Sequence, residues 1–325
     1  MIDDNILDAL RNSGGSYVSG EELCRIAGIS RAAIWKRVEK LREEGYEIEA
    51  LPHLGYRLTG IPDSLIASEI RWGLGSKTIG REIISYRKTD STNDVAYELA
   101  EKGMKEGTVV IAEEQARGKG RHGRSWVSPP KGGIYMSCIL RPEMEPGQIP
   151  RITLMAAVAA AKSIRSVTGL PASIKWPNDI LVNGGKVCGI LTEMKAEQDR
   201  VDFIVLGIGV NVNTAAKALP KGATSLKAEM RGSGADAAVP RVELARNILE
   251  SVERYYDIMK SGGSAAIIKE WKALSSTIGS RVKVTLAKRS FEARAHDIDR
   301  DGALVVKLDS GVLERVSSGD IVTVR

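Results

Sequence analysis

Apolar positions recur at helical spacing three times in the first 45 residues. Ile6, Leu7 and Leu10 form one stripe, Leu23 and Ile26 a second, and Ile34, Val38 and Leu41 a third. The punctuation agrees with these stripes. Residues 12–15 (Asn-Ser-Gly-Gly) stop the first, Ser19 with Glu22 reads as a capping box, Gly28 ends the second helix and Ser30 caps the third. Two helices split by a short glycine-containing turn make a helix-turn-helix pattern. Residues 45–51 and 52–58 then read as a two-stranded wing, and Gly60, Ile61 and Pro62 close a first domain placed at 1–61.

From 62 to 274 helical and alternating periods interleave. Helices are expected from 63 or 64 to 70, at 95–102, 151–167, 241–259 and 265–274. Strands are expected at 81–86, 108–112, 134–140, 172–175, 180–182, 187–193 and 202–211, with a hairpin turn at 183–186. Residues 217–240 read as a loop with a short helical piece. After 275 the period becomes strict alternation in five short strands, 281–286, 291–295, 303–308, 312–316 and 321–324. Their turns fall at 288–290, 299–302, 309–311 and 317–320. That is the pattern of a small SH3-like β-barrel, so the chain as a whole is α+β with domains at 1–61, 62–274 and 275–325.

Composition narrows the picture a little. Lys and Arg number 47 against 41 Asp and Glu, a net +6 that permits nucleic-acid binding without arguing for it. Cys24, Cys138 and Cys188 sit apart in apolar runs and read as small hydrophobes, and three scattered histidines give a zinc site no support. Residues 1–5 lack a basic leader region and the apolar run 155–161 is too short to span a bilayer, so a cytoplasmic protein without a membrane partner is expected.

Candidate chemistry concentrates in residues 115–126, where three glycines and four basic residues precede Trp126 between two predicted strands. Such a loop cannot form a packed core element. It suits an anionic ligand, wrapped by backbone N–H groups and guanidinium forks. Asp90, Ser91, Thr92, Asn93 and Asp94 precede a helix; they read either as caps or as polar groups facing a ligand. Residues 176–179 read as a proline and Asx turn, and Lys186 as a lysine at a hairpin end. On the third helix, Ala32, Ala33, Lys36 and Lys40 lie opposite the apolar stripe, with Ser30 and Arg31 at its entry and Arg37 on one flank. Small residues there would let the helix approach base edges while the cations reach phosphates; the bland reading is a solvated face.

Taken together, Ser91-Thr-Asn, the 115–126 loop, Lys175-Trp-Pro-Asn-Asp179 and the Gly185–Leu191 segment resemble the biotin–protein ligases. With the helix-turn-helix ahead of them, the chain resembles the bifunctional group of ligases that also repress biotin genes. The resemblance runs essentially end to end. It implies a class II synthetase-like mixed-sheet ligase domain that makes biotinyl-5′-AMP from biotin and MgATP. It further implies transfer of the biotinyl group to a lysine of a biotin carboxyl carrier domain. It assigns biotin to Ser91, Thr92, Asn93, Gln115, Lys119, Gly120, Arg121, Lys186 and Gly189. It assigns ATP to Arg121, Arg124, Trp126 (stacking on adenine), Asn178 and Asn211. Lys186 and Arg121 are the catalytic pair, and Mg²⁺ has no assured protein ligand. The segment 187–191 would wall the valeryl chain. Ser30, Arg31, Ala32, Ala33, Lys36, Arg37 and Lys40 would meet operator DNA, and the adenylate would promote a homodimer. One departure is Lys119, where the family commonly has arginine. Glycines and mutually repelling cations also predict a loop that orders only around its ligand. A lipoate–protein ligase and a ligand-sensing regulator without ligase activity are the alternatives.

Overall fold

The computed structural model describes residues 2–232, 238–286, 289–317 and 319–324, and the chain divides into two compact units, Met1–Ser64 and Leu65–Arg325. Part of the expected 217–240 loop (233–237) and the expected turn positions Lys288 and Ser318 lie outside the described residues.

In the first unit, helices α1 (Ile2–Asn12), α2 (Gly20–Ala27) and α3 (Arg31–Glu43) precede an antiparallel pair, β1 (Glu47–Leu51) and β2 (Gly55–Gly60). The predicted stripes are buried, except that Ile26 is 39% exposed: α2 has only two turns, and Leu23 alone faces inward. Both predicted caps form. The Ser19 hydroxyl accepts from the Glu22 amide at 3.1 Å, and that of Ser30 from the Ala33 amide at 3.4 Å. The wing is stitched to the segment before α2 by paired backbone bonds between Val18 and Tyr56. Gly55 makes that approach feasible, since a Cβ there would stand 2.0 Å from the Val18 carbonyl oxygen.

The second unit is built on a seven-stranded mixed sheet. Its chain order is α4 (Ala67–Arg71), β3 (Ile83–Tyr86), α5 (Thr92–Glu101), β4 (Val109–Ala112), β5 (Gly133–Leu140), α6 (Ile149–Thr168), β6 (Ser173–Lys175), β7 (Asp179–Val182), β8 (Gly185–Glu197) and β9 (Arg200–Asn211). The strand order is β3-β4-β5-β9-β8-β7-β6, parallel only between β3 and β4. Then come α7 (Leu226–Gly232), α8 (Arg241–Lys260) and α9 (Ser264–Leu274). The alanine-rich middle of α6 is buried all round, because the sheet covers one side and α8 and α9 the other. Two helix starts differ from expectation. Helix α4 begins late because Glu113 takes the Leu65 amide and the Ser85 hydroxyl takes that of Ala67, holding the entry extended. Helix α5 begins early, so Thr92 and Asn93 lie inside its first turn.

Five strands follow: β10 (Arg281–Thr285), β11 (Ser290–Ile298), β12 (Leu304–Lys307), β13 (Leu313–Val316) and β14 (Asp320–Thr323). They form an antiparallel meander whose last strand returns beside its first, the order of a small barrel. Its inward residues Val282, Ala293, Leu304, Val306 and Ile321 continue the core of the large sheet. Trp176 crosses this junction: its indole N–H donates to the Gly302 carbonyl at 3.1 Å, and its amide donates to Thr277 Oγ1 at 2.9 Å. Among the described residues no helix is long and apolar enough to cross a membrane.

Candidate active site

The 115–126 loop joins β4 to β5, neighbours in the sheet, and its own backbone shapes it. Trp126 donates its amide to Gly118 O at 2.8 Å and Gly120 donates to Arg124 O at 2.7 Å, closing a short turn at Arg121–Gly123. Each of three loop cations meets a carboxylate: Arg117 pairs with Asp90, Lys119 with Asp94, and Arg124 with Asp320. These carboxylates, two from the α5 entry and one from β14, offset the mutual repulsion of the loop's cations.

The loop roofs a cavity of about 300 Å³ against the sheet. Its polar end is at α5. Ser91 precedes the helix but makes no side-chain cap; it is buried and faces the cavity instead. The capping comes from Gln115, whose Oε1 accepts from the Thr92 amide at 2.8 Å and the Thr92 hydroxyl at 3.1 Å. A helix N-terminus is thus satisfied from 23 residues away, and this ties the loop to α5. Gln115 Nε2 donates in turn to Ser128 Oγ at 2.9 Å. Lys119 and Gly120 line the same end.

The floor has no side chains. Gly189 on β8 pairs with Gly209 on β9, and Gly207 stands two residues earlier on the same strand. Each is filled from above. A Cβ at Gly207 would stand 2.1 Å from Asn93 Oδ1, one at Gly189 2.9 Å from the Trp126 ring, and one at Gly209 2.7 Å from it. Trp126 therefore lies flat against the floor rather than open to a base, with Lys186 Nζ 5.3 Å from the ring centre. Of the expected apolar wall, Ile190 and Leu191 line the cavity. Val187 and Cys188 do not, and burial pushes the Cys188 thiol up to about 12.

The far end is cationic. Lys186 Nζ lies 2.6 Å from Asp179 Oδ1, across the hairpin that the 183–186 turn closes. Arg121 donates to Asn178 Oδ1 and to Gly319 O, both at 3.3 Å, and stands 3.8 Å from Asp320. Burial lowers its pKa, with Asp320 and Asp179 opposing that. Asn178 is held by a 2.7 Å bond from its Nδ2 to Ile190 O. Asn211, expected beside it, is not in the cavity lining; it is buried at the end of β9 and donates to Thr224 O at 3.1 Å. Sequence reasoning missed Asp179 as the partner of Lys186, although the Trp-Pro-Asn-Asp turn contains it. It also missed Asp320, because only the barrel's return brings β14 to the loop.

A model of the biotin/lipoate A/B protein ligase family matches residues 85–211, an HTH-domain model matches 4–57, and a model of the biotin protein ligase C-terminal domain matches 277–323. The chain is 37% identical to the bifunctional ligase/repressor BirA of Bacillus subtilis, covering 98% of this chain and 97% of that one. The chain belongs to the biotin protein ligase family. It is also 33% identical to the biotin–[acetyl-CoA-carboxylase] ligase of Mycobacterium tuberculosis, over 78% of this chain and 92% of that one. Among solved structures, the Aquifex aeolicus biotin protein ligase in complex with biotin and ATP is similar at a TM-score of 0.63 and 25% identity. That match covers 75% of this chain and 99% of the other.

In this family member the helix-turn-helix unit exposes the face expected to meet nucleic acid. Arg31, Ala32 and Lys36 on α3 are open to solvent and Ala33 is half-buried. Arg37 and Lys40 both reach Asp3 of α1, at 3.4 and 2.9 Å, so two of the expected phosphate contacts begin as ion pairs. Trp35, outside the predicted stripe, is 56% exposed on the same helix.

Proposed function

We propose that this protein is an ATP-dependent biotin–protein ligase that also acts as a biotin-responsive transcriptional repressor. The observation that carries this reading is one cavity with a polar end, a glycine floor on which Trp126 rests, and a cationic end in sequence. Biotin has the same three parts in order: ureido ring, apolar chain and carboxylate. Ser91, Thr92, Asn93 and Gln115 take the ureido group, beside Lys119 and Gly120. The chain crosses Gly189 and Gly209 once Trp126 has lifted from them, against Ile190 and Leu191.

The carboxylate then reaches Lys186 and Arg121. A carboxylate oxygen attacks the α-phosphorus of MgATP, the bond to the β-phosphate oxygen breaks, and pyrophosphate leaves. Two anions meet in this step, so fixed cations lower its barrier most, and Lys186 exchanges Asp179 for the incoming charge. Arg124 holds phosphate, Trp126 lifted from the floor stacks on adenine, and Asn178 holds the nucleotide. Mg²⁺ enters with the nucleotide as substrate. In the second step the ε-amine of a lysine on a biotin carboxyl carrier domain attacks the acyl carbon, loses a proton, and AMP departs. No side-chain nucleophile is required.

Incubation with ATP labelled at the α-phosphate and either biotin or lipoate tests the ligase reading. Labelled biotinyl-AMP is expected; an adenylate with lipoate alone, or none, overturns it. A lipoate dithiolane has no N–H groups for the polar end. Lys186→Ala should lower adenylate formation by at least about a hundredfold, as removal of one preorganised charge commonly does. The repressor reading rests on α3 and its flanks, from Ser30 to Lys40. The adenylate promotes a homodimer that binds a two-fold operator in the cytoplasm. A gel shift with the DNA upstream of biotin genes should tighten when biotin and ATP are added; equal affinity for scrambled DNA overturns it.

A further inference from the structure

Behind the polar end, hydrogen bonds run from Thr92 and Asn93, which line the cavity, to Ser137 and Glu193, which do not. Glu193 on β8 accepts from Asn93 Nδ2 at 2.7 Å. Ser137 on β5, 0% exposed, has its Oγ 2.6 Å from Asn93 Oδ1 and 2.8 Å from Thr92 Oγ1. We infer that Glu193 and Ser137 are positioning residues that fix which way the Thr92 hydroxyl points, and so set the cavity's preference for a ligand N–H over a ligand acceptor. This rests on the biotin reading above.

An ionised carboxylate only accepts, so the Asn93 amide must turn its Nδ2 to Glu193 and its Oδ1 to Ser137. Asn93 Oδ1 carries no proton, and a serine hydroxyl has one, so the 2.6 Å contact takes it. Ser137 Oγ is then left as an acceptor towards Thr92. The Thr92 proton has two inward acceptors, Ser137 Oγ at 2.8 Å and Gln115 Oε1 at 3.1 Å. Whichever it uses, only lone pairs of Thr92 Oγ1 face the cavity. Gln115 is oriented by the same logic: its Oε1 is held by the Thr92 amide and one Nε2 proton by Ser128, leaving the other proton to donate. The cavity therefore presents an acceptor and a donor side by side, the complement of a ureido N–H and C=O. Without Glu193, Asn93 is free to flip. Ser137 would then accept from Nδ2 and give its proton to Thr92, whose own proton keeps only the longer 3.1 Å contact to Gln115 Oε1 and can turn from it to a ligand acceptor.

The test compares biotin with the two cyclic carbamate analogues in which one or the other ureido N–H is replaced by ring oxygen. Calorimetric dissociation constants are measured for the full chain, for Ser137→Ala, and for the more exposed Glu193→Ala and Glu193→Gln. Wild type should bind biotin and reject at least one carbamate. In Ser137→Ala and Glu193→Ala biotin should weaken by about tenfold, the worth of one modest hydrogen bond. The biotin-to-carbamate ratio should narrow for that isomer. Glu193→Gln keeps an acceptor oxygen and should keep the ratio. A ratio unchanged in every variant, or a uniform loss for all ligands, overturns the inference while leaving the biotin reading standing. Wild type that binds no biotin overturns the reading beneath it.

Discussion

Lys119 holds a carboxylate of its own: its ammonium pairs with Asp94 and lies 4.0 Å from Glu193, and the Asp94 bond raises its pKa. That answers in part what the departure from arginine costs. One ion pair to α5 needs a charge rather than a planar fork, so Lys119→Arg should change little, whereas Lys119→Ala should release the adenylate several-fold faster. Chromatography of free biotinyl-AMP during turnover without acceptor measures both. The glycine floor gives a second residue-scale prediction. Gly209→Val would place carbon where Trp126, and then the ligand, must lie; it should raise the KM for biotin at least about tenfold with little change for ATP. That Lys119 belongs to a cationic loop was legible in the sequence. That Gln115 caps α5, or that Ser137 and Glu193 stand behind Thr92, was not, because the partners are 23, 45 and 100 residues apart.

At the scale of elements, helices and strands were legible wherever periodicity met a chemical stop, as at Ser30 or in the alternating C-terminal strands. Starts were misplaced where a distant side chain intervened, as Glu113 does before α4. A similar long-range device holds the connection between α4 and β3. Glu253 of α8 accepts the amides of Lys77, Thr78 and Ile79 at 2.6 to 2.7 Å. Burial opposes its ionisation, but the three amides outweigh it and hold the carboxyl below its ordinary value of 4.5. A depressed folded-state pKa means this stability is present above the ordinary value and is lost as pH falls through the folded one. Glu253→Gln should therefore lower Tm at pH 7 and flatten its fall below about pH 4.5, read by circular dichroism.

At the scale of the molecule, the structure divides the chain at Ser64 and treats everything after it as one body. A fragment of residues 65–325 should therefore form biotinyl-AMP at close to the full-chain rate and lose operator binding, checked by the labelling and gel-shift assays. The C-terminal strands were legible as a barrel; that their inward residues share one apolar cluster with the large sheet was not. Replacing Trp176 with Phe removes one buried hydrogen bond to Gly302 and should cost about 1 kcal/mol, seen as a lower Tm of that fragment.

What the sequence by itself determined is what local chemistry specifies: stripe, cap, turn, alternation, and a set of motifs dense enough to identify a family. What only the tertiary structure decided is which groups are already satisfied by one another. Asp320 reaches the arginine loop because β14 returns beside β10, and Trp126 rests on the floor because glycines on two strands come into register. Asn211 lies outside the cavity because β9 carries it past the floor glycines. Each is a contact between residues far apart in the chain, where spacing carries no information and packing carries all of it.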